Sequence, residues 1–447
     1  MVATRKPHAP SRTVVTESRA VAAHVLADMR NGLLLDAAFE RRVISLDARD
    51  RRWVQELLWG MLRKRGWIDA VLADRVRGGI AKLDADVADL LRLGAYQLLF
   101  MGSVPPYAAI GQSVELTKRR HGIGASTLMN AVLRRIDRER DALAPSAPTD
   151  PIEALAQQYS HPAWVVARWV ERWGMAATTQ LLAANNEEAG ITVRPFGVDS
   201  VTLSGLLRAA DVDTVPHPLI PDSLRLPAGV ALTELGAFKQ GLLFVQDPAA
   251  SLVTQYAHVP ERGVVADLCA APGGKALELS RRAALVVAAD RSMARVERML
   301  SGFGRLHVPN IVSLVADATT PAMAPVDAVL IDVPCTGTGT FRRHPDARWR
   351  LRMSDFAVLG MMQKQILRAA ATVVRPGGLL VYSTCSLELE ENDDQVDAFL
   401  AAHPEFTLES PPAGTVPDTV LNQGRLRVLP HVHGCDGAFA ARLRRAN

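Results

Sequence analysis

Cysteine is scarce in this chain: four among 447 residues, at positions 269, 335, 385 and 435. No two of them form the CxxC pair of a zinc site, and a chain of this length does not need a disulfide framework. Reduced thiols in a cytoplasmic compartment are expected. No apolar run approaches the length of a bilayer span, so no membrane association is expected. The opening "MVATRKPHAPSRT" is basic with no apolar stretch behind it, and does not read as a signal peptide. Hydrophobic residues make up 48% and charged residues 22%. That balance excludes a disordered chain and leaves a globular one with two or three cored domains.

The net charge of +4 hides an asymmetry. Residues 1–150 carry 24 Lys and Arg against 17 Asp and Glu; the remainder carries 27 against 30. A basic module joined to a near-neutral one suits an anionic partner such as nucleic acid, the plain alternative being an Arg-rich solvated surface. Within the basic part, Val87, Leu90, Leu91, Gly94 and Leu98 recur on one helical face. Similar patterns run through "AVAAHVLADM", "WVQELLWGML" and "NAVLRRI", and the basic residues cluster at 63–67, 117–122 and 134–140. A helical domain over 14–142 is predicted, closed by the Pro/Ala/Ser linker 143–151. Mixed signals over 152–260, including "HPAWVVARWVERWG" and "ITVRPF", predict a small α/β subdomain.

From 261 to 447 short apolar runs alternate with helical stretches, the pattern of a parallel, doubly wound sheet. A last alternating segment, 437–445, reads as an antiparallel addition. Ligands of such sheets bind outside the carboxyl ends of the strands. Those ends here are "DLCAAPGGK" after the first strand, Asp290 after the second, Asp317 after the third, Asp332–Pro334–Cys335 after the fourth and Ser383–Thr384–Cys385 after the fifth. The small-residue turn through Cys269, Ala270, Ala271, Pro272, Gly273, Gly274 and Lys275 opens a helix but is not the GxGxxG of a phosphate grip. Asp290 is placed for ribose hydroxyls or for a helix cap, and Asp317 for an adenine amino group or a cap. Together these features describe a nucleoside cofactor without pyrophosphate, and S-adenosylmethionine fits that description.

The thiols point to the reaction. Carbon-5 of cytosine is too electron-poor to take a methyl group directly. A thiolate added at carbon-6 makes the ring an enamine that attacks a methyl sulfonium, after which a base removes the carbon-5 proton. Cys335, Cys385 and Asp332 sit at two strand tips that would flank the donor pocket. A buried, inert cysteine is the plain alternative for each thiol taken singly.

The segments "DLCAAPGGK", "ADRS", "DVPCTGTG", "RRHPDARW" and "STCSLELEEN" closely resemble the RNA cytosine-5 methyltransferases. The helical region resembles the NusB-type RNA-binding domain of the Sun/Fmu branch, whose members modify small-subunit ribosomal RNA. The resemblance spans about 14–445. It implies a multidomain fold: an all-α NusB-like domain, a small α/β subdomain and an α/β Rossmann-like S-adenosylmethionine-dependent methyltransferase domain. It implies that Cys385 is the nucleophile, that Cys335 assists release of the methylated base, and that Asp332 contacts the cytosine edge. Residues 269–275, with Lys275, would hold the methionine end of the cofactor, with Asp290 at the ribose and Asp317 at the adenine side. Val333, Thr336 and Cys435 depart from the usual Ala, Ser and Thr, and none of these changes removes a reacting group.

"FRRHPDARWRLR" carries Arg342, Arg343, His344 and Arg348 just after the Pro-Cys loop, where they are expected to meet RNA phosphates. "HVHGC" at 431–435 alternates His and Cys, but no fourth ligand is nearby and no metal is expected. Glu391 and Asn392 follow the nucleophile loop and are expected to brace it by hydrogen bonds. The expectation is a monomeric cytoplasmic enzyme that methylates carbon-5 of a flipped or single-stranded cytidine in 16S ribosomal RNA. The alternatives are a transfer RNA substrate, a DNA cytosine methyltransferase using the Pro-Cys thiol, and a non-enzymatic RNA-binding assembly factor.

Overall fold

The computed structural model describes residues 15–447. The N-terminal segment read above, and position 14 of the helical domain, lie outside the described residues. The chain divides into two compact units, one running to Leu182 and including His344–Trp349, the other comprising Ala183–Arg343 and Arg350–Asn447.

The first unit is helical. Glu17–Arg30, Leu35–Arg42, Ala48–Ala73, Ala85–Phe100 and Pro106–Glu139 pack around Val25, Leu57, Leu58, Leu91 and Leu133, all fully buried. Each such side chain contributes about 1.5–3 kcal/mol through removal from water. The apolar period read at 87–98 is the inward face of Ala85–Phe100. Two of these helices start on aspartate caps: Asp47 accepts from the Asp50 amide and Asp84 from the Asp86 and Val87 amides. Each cap is worth about 1 kcal/mol. Gly60 has no room for a side chain, since a Cβ there would lie 1.8 Å from the Tyr96 hydroxyl. Pro106–Glu139 is interrupted at Gly122, whose φ of 81° other residues rarely adopt.

This unit continues past the Pro/Ala/Ser linker. Helix Pro151–Tyr159 and most of Ala163–Ala184 belong to it. The segment His344–Trp349 joins it as well. The Trp349 indole donates to the Leu62 carbonyl (2.9 Å) and its ring packs on the helical core.

The second unit holds two sheets. The smaller is antiparallel, in the order Val215–His217, Ile220–Arg225, Thr192–Pro195, Leu243–Val245. "ITVRPF" supplies its central strand. In the larger sheet five strands are parallel, ordered Val374–Thr384, Val326–Asp332, Val264–Asp267, Leu285–Asp290, Ile311–Val315. They are the five alternating segments read from the sequence, apolar because helices cover both faces. Ala438–Arg445 adds antiparallel to Val374–Thr384, as read. Beyond it lie Arg425–Val428, Leu421–Asn422 and, paired to Ala438–Arg445, Phe406–Leu408. These three strands are too short to show a period in the sequence. The chain reverses its direction of travel across the sheet between Val264–Asp267 and Val326–Asp332, where open α/β sheets bind ligands.

Candidate active site

A cleft of about 450 Å³ opens at that reversal. Its walls come from the ends of all five parallel strands: Cys269, Asp290, Asp317, Asp332, Cys335 and Cys385 line it. Residues some 120 positions apart in sequence meet there because parallel strands end on the same edge of the sheet.

The two thiols are the centre of the site. Cys335 Sγ and Cys385 Sγ are 3.2 Å apart, a hydrogen-bonding contact, and both side chains are half-buried. Strand register explains the approach: Asp332 pairs with Ser383, and each cysteine follows within three residues. The Ser383 hydroxyl donates to Asp332 Oδ1 (2.9 Å) and Lys275 Nζ to Asp332 Oδ2 (2.7 Å). Asp332 is therefore held between a hydroxyl and an ammonium. The hydrogen bond with Cys385, then burial and the negative charge of Glu391 and Asp332, raise the Cys335 thiol well above its usual range.

The glycines of "TGTG" have a steric role. Gly339 N donates to the Cys385 carbonyl (3.0 Å) and the Gly437 amide to the Gly339 carbonyl (2.7 Å). A Cβ on Gly339 would lie 2.7 Å from both the Cys385 oxygen and Gly437 Cα. Backbone can approach the Cys385 loop this closely only without a side chain.

In the turn after the first strand, Cys269 and Ala271 line the cleft. Ala270, Pro272, Gly273 and Gly274 build the turn, and Lys275 reaches the site through Asp332. Gly273 sits at φ 106° under Met299 and Phe303, each 2.9 Å from where a Cβ would stand, so helix packing alone demands glycine there. Burial, then the neighbouring Asp267 and Asp332, push the Cys269 thiol up, so it is no thiolate. Asp267 is fully buried with neither oxygen hydrogen-bonded, and burial pushes its pKa up to about 7. Burial opposes the charge on Lys275, but the charge and hydrogen bond of Asp332 outweigh it and its pKa is raised.

At the other side of the cleft Asp290 is buried, accepting from the Ser292 amide (3.0 Å) and paired with Arg295 (3.1 Å). Asp317 is exposed at the rim, its carboxyl held below the usual range by the Thr319 amide and hydroxyl. Met362, Gln365 and Ile366 of helix Met353–Thr372 complete the wall with Val333. Sequence reading missed these residues, because nothing in the helix pattern marks which face meets the cleft. The donor set fits an adenosyl group carrying a charged amino acid: two carboxylates for a diol and a ring amine, an apolar wall for a base, and no amide nest for phosphate.

The four side chains expected to meet RNA are used otherwise. Arg342 is buried and lies 3.8 Å from Asp247 and 3.6 Å from Asp436. Arg343 binds Asp436 (2.7 Å) and Asp247 (2.5 Å). His344 pairs with Asp36 (3.0 Å) within the helical unit. Arg348 has no exposed surface, and burial pushes its pKa down to about 9. The enclosed guanidinium groups of Arg342 and Arg348 have no face left for phosphate, whereas Arg343 and His344 are part-exposed within their ion pairs. Cys435 is likewise buried packing. Among the described residues no group of three His, Cys, Asp or Glu gathers as metal ligands do, and no helix is long and apolar enough to cross a membrane.

Comparison with known proteins accords with the fold. Residues 256–444 match the family model of the 16S rRNA methyltransferase RsmB/F, residues 16–138 the NusB family, and 161–233 the RsmF/B-like ferredoxin-like domain. The probable ribosomal RNA small subunit methyltransferase B of Synechocystis sp. is 34% identical over 432 residues, spanning 94% of this chain and 96% of that protein. The ribosomal RNA small subunit methyltransferase B of Vibrio vulnificus is 32% identical, with 95% and 98% covered. The crystal structure of PH0851 superposes with a TM-score of 0.80 at 25% identity, over 97% of this chain and all of that one. An N-terminal NusB domain, a ferredoxin-like subdomain and an α/β methyltransferase domain follow one another in this chain, which belongs to the ribosomal RNA small subunit methyltransferase B family.

Proposed function

We propose that the protein methylates carbon-5 of a cytidine in 16S ribosomal RNA, with Cys385 as nucleophile and S-adenosylmethionine as methyl donor. The observation that carries this reading is the pair of thiols 3.2 Å apart at the tips of adjacent strands, facing one cleft. An enzyme that methylates a heteroatom has no use for a second thiol beside the first. The family membership, the relatives' names and the basic N-terminal domain support a ribosomal RNA substrate.

The residues divide the work. Asp290 and Asp317 would hold the ribose and adenine of the donor, with 269–275 and Lys275 at its amino-acid end. Bound there, the donor supplies an electrophilic methyl group. Cys385 adds to carbon-6 of a base turned out of its stack, since a thiol cannot reach carbon-6 inside a helix. Asp332, braced by Lys275 and Ser383, faces the polar edge of the ring and favours the electron-rich adduct. Cys335 assists elimination: carbon-5 gives its proton to a solvent water acting as base, the carbon–sulfur bond breaks, and the Cys335 thiol, in contact with Cys385 Sγ, hydrogen-bonds the departing Cys385 thiolate.

Mapping 5-methylcytosine across ribosomal and transfer RNA, with and without the gene, tests the proposal. Loss of a mark from 16S ribosomal RNA is expected. Loss from a transfer RNA alone would overturn the substrate, and no loss anywhere would favour an assembly factor.

A further inference from the structure

The geometry points to Glu391 and Asn392 as a positioning pair, in which consecutive residues each hold one cysteine loop and so set the spacing of the two thiols. Glu391 is fully buried in the short helical turn Leu389–Glu391. Its carboxylate accepts from the Thr336 amide (2.9 Å), the Thr336 hydroxyl and Gln363 Nε2 (3.0 Å). The same Gln363 nitrogen donates to the Pro334 carbonyl (2.9 Å). Thr336 is therefore gripped by Glu391 directly, and Pro334 through Gln363. All three groups facing the carboxylate are donors, the arrangement an acceptor-only side chain takes.

Asn392 does the same for the other loop. Its Oδ1 accepts from the Thr384 hydroxyl (2.5 Å) and its Nδ2 donates to the Ser386 carbonyl (2.9 Å). These are the two residues flanking Cys385. The pair is itself anchored, since the buried Tyr382 hydroxyl donates to the Glu391 carbonyl (2.6 Å). Three of the four flanking residues thus bond directly to two adjacent ones, and the fourth, Pro334, is held through Gln363.

The two grips differ in charge. Glu391 is an anion beside Cys335, alongside Cys385, Asp332 and the Tyr382 hydroxyl, with Lys275 opposite across Asp332. Asn392 is neutral. Glu391 thereby favours the protonated Cys335 that release requires, whereas Asn392 only orients the attacking loop. This rests on the two-thiol reading above.

The test compares Glu391→Gln and Asn392→Ala with the parent, in the full chain, with thermal melts to check folding. Iodoacetamide labelling of Cys335 against pH, resolved by peptide mass spectrometry, needs no RNA and no cofactor. Glu391→Gln should shift that labelling to lower pH, because the thiolate loses a repelling neighbour, and Asn392→Ala should leave it in place. With RNA and donor, Glu391→Gln should accumulate covalent adduct with release at least tenfold slower, while Asn392→Ala should form adduct at least tenfold more slowly. Parental Cys335 labelling in Glu391→Gln, or equal loss of both steps in both variants, would overturn the inference. If the labelling shifts as expected while Cys385→Ala still methylates RNA, the pair stands and the assignment of the nucleophile falls.

Discussion

Cys335 and Cys385 touch through their sulfur atoms at 3.2 Å although fifty residues separate them. The contact follows from two parallel strands in register, Asp332 beside Ser383, with each cysteine within three residues of that pair. In the proposed reaction only one of them adds to carbon-6; the hydrogen bond with Cys385, burial and nearby negative charge raise the Cys335 thiol well above its usual range.

Replacing each cysteine should therefore give opposite results. Cys335→Ala should trap a covalent enzyme–RNA complex, visible on a denaturing gel, with turnover reduced roughly 10²–10⁴-fold. Cys385→Ala should lose turnover and form no complex. The reverse pattern would restore Cys335 as nucleophile.

Lys275 is the cation beside two carboxylates of the site, Asp332 and Asp267. Lys275→Met strands Asp332 without its counter-charge, a change that costs about 3–5 kcal/mol for buried pairs and less for this part-buried one. Lys275 lowers the Asp267 pKa, so without it that pKa rises above about 7 and the added loss of stability develops as pH rises through 7. Urea midpoints should differ little from the parent at pH 5 and clearly at pH 8; an equal deficit at both would count against this account.

Asp267 titrates at about 7 in the fold, against 3.8 ordinarily. Between those values the folded state keeps a proton that the unfolded chain has released. Its burial therefore costs nothing below pH 4, and the cost grows to completion above pH 7, up to about 4 kcal/mol. Asp267→Asn should flatten that slope. Melting points taken from pH 5 to 8 should converge on the parent at the acid end and exceed it at the alkaline end.

Arg343 braces the Pro-Cys segment by binding Asp247 and Asp436, and burial pushes Asp436 up to about 6. Arg343→Ala should cost about 3–5 kcal/mol of stability. The salt dependence of RNA binding should stay as in the parent, because a side chain engaged inside the protein releases no counterions. A slope shallower by about one unit would return Arg343 to the RNA-facing role.

Much was legible before folding. The helical period at 87–98, the five apolar strands and their acidic or thiol ends are local patterns, set by which side chains water excludes within a few residues. Edge strands such as Phe406–Leu408, three residues long, carry no such period. The arginines after the Pro-Cys loop show the limit from the other direction. Composition marks them as basic, but Asp247 and Asp436, some 100 residues away on either side, decide that they face inward. Helix Met353–Thr372 was legible as a helix, whereas Met362, Ile366 and Gln363 became site residues only when packing turned that face to the cleft and to Glu391. The sequence by itself determined which reactive groups the protein has and that they lie at strand ends. Tertiary structure decided which of them meet and which are buried, because both depend on strand register and on burial shared among distant segments.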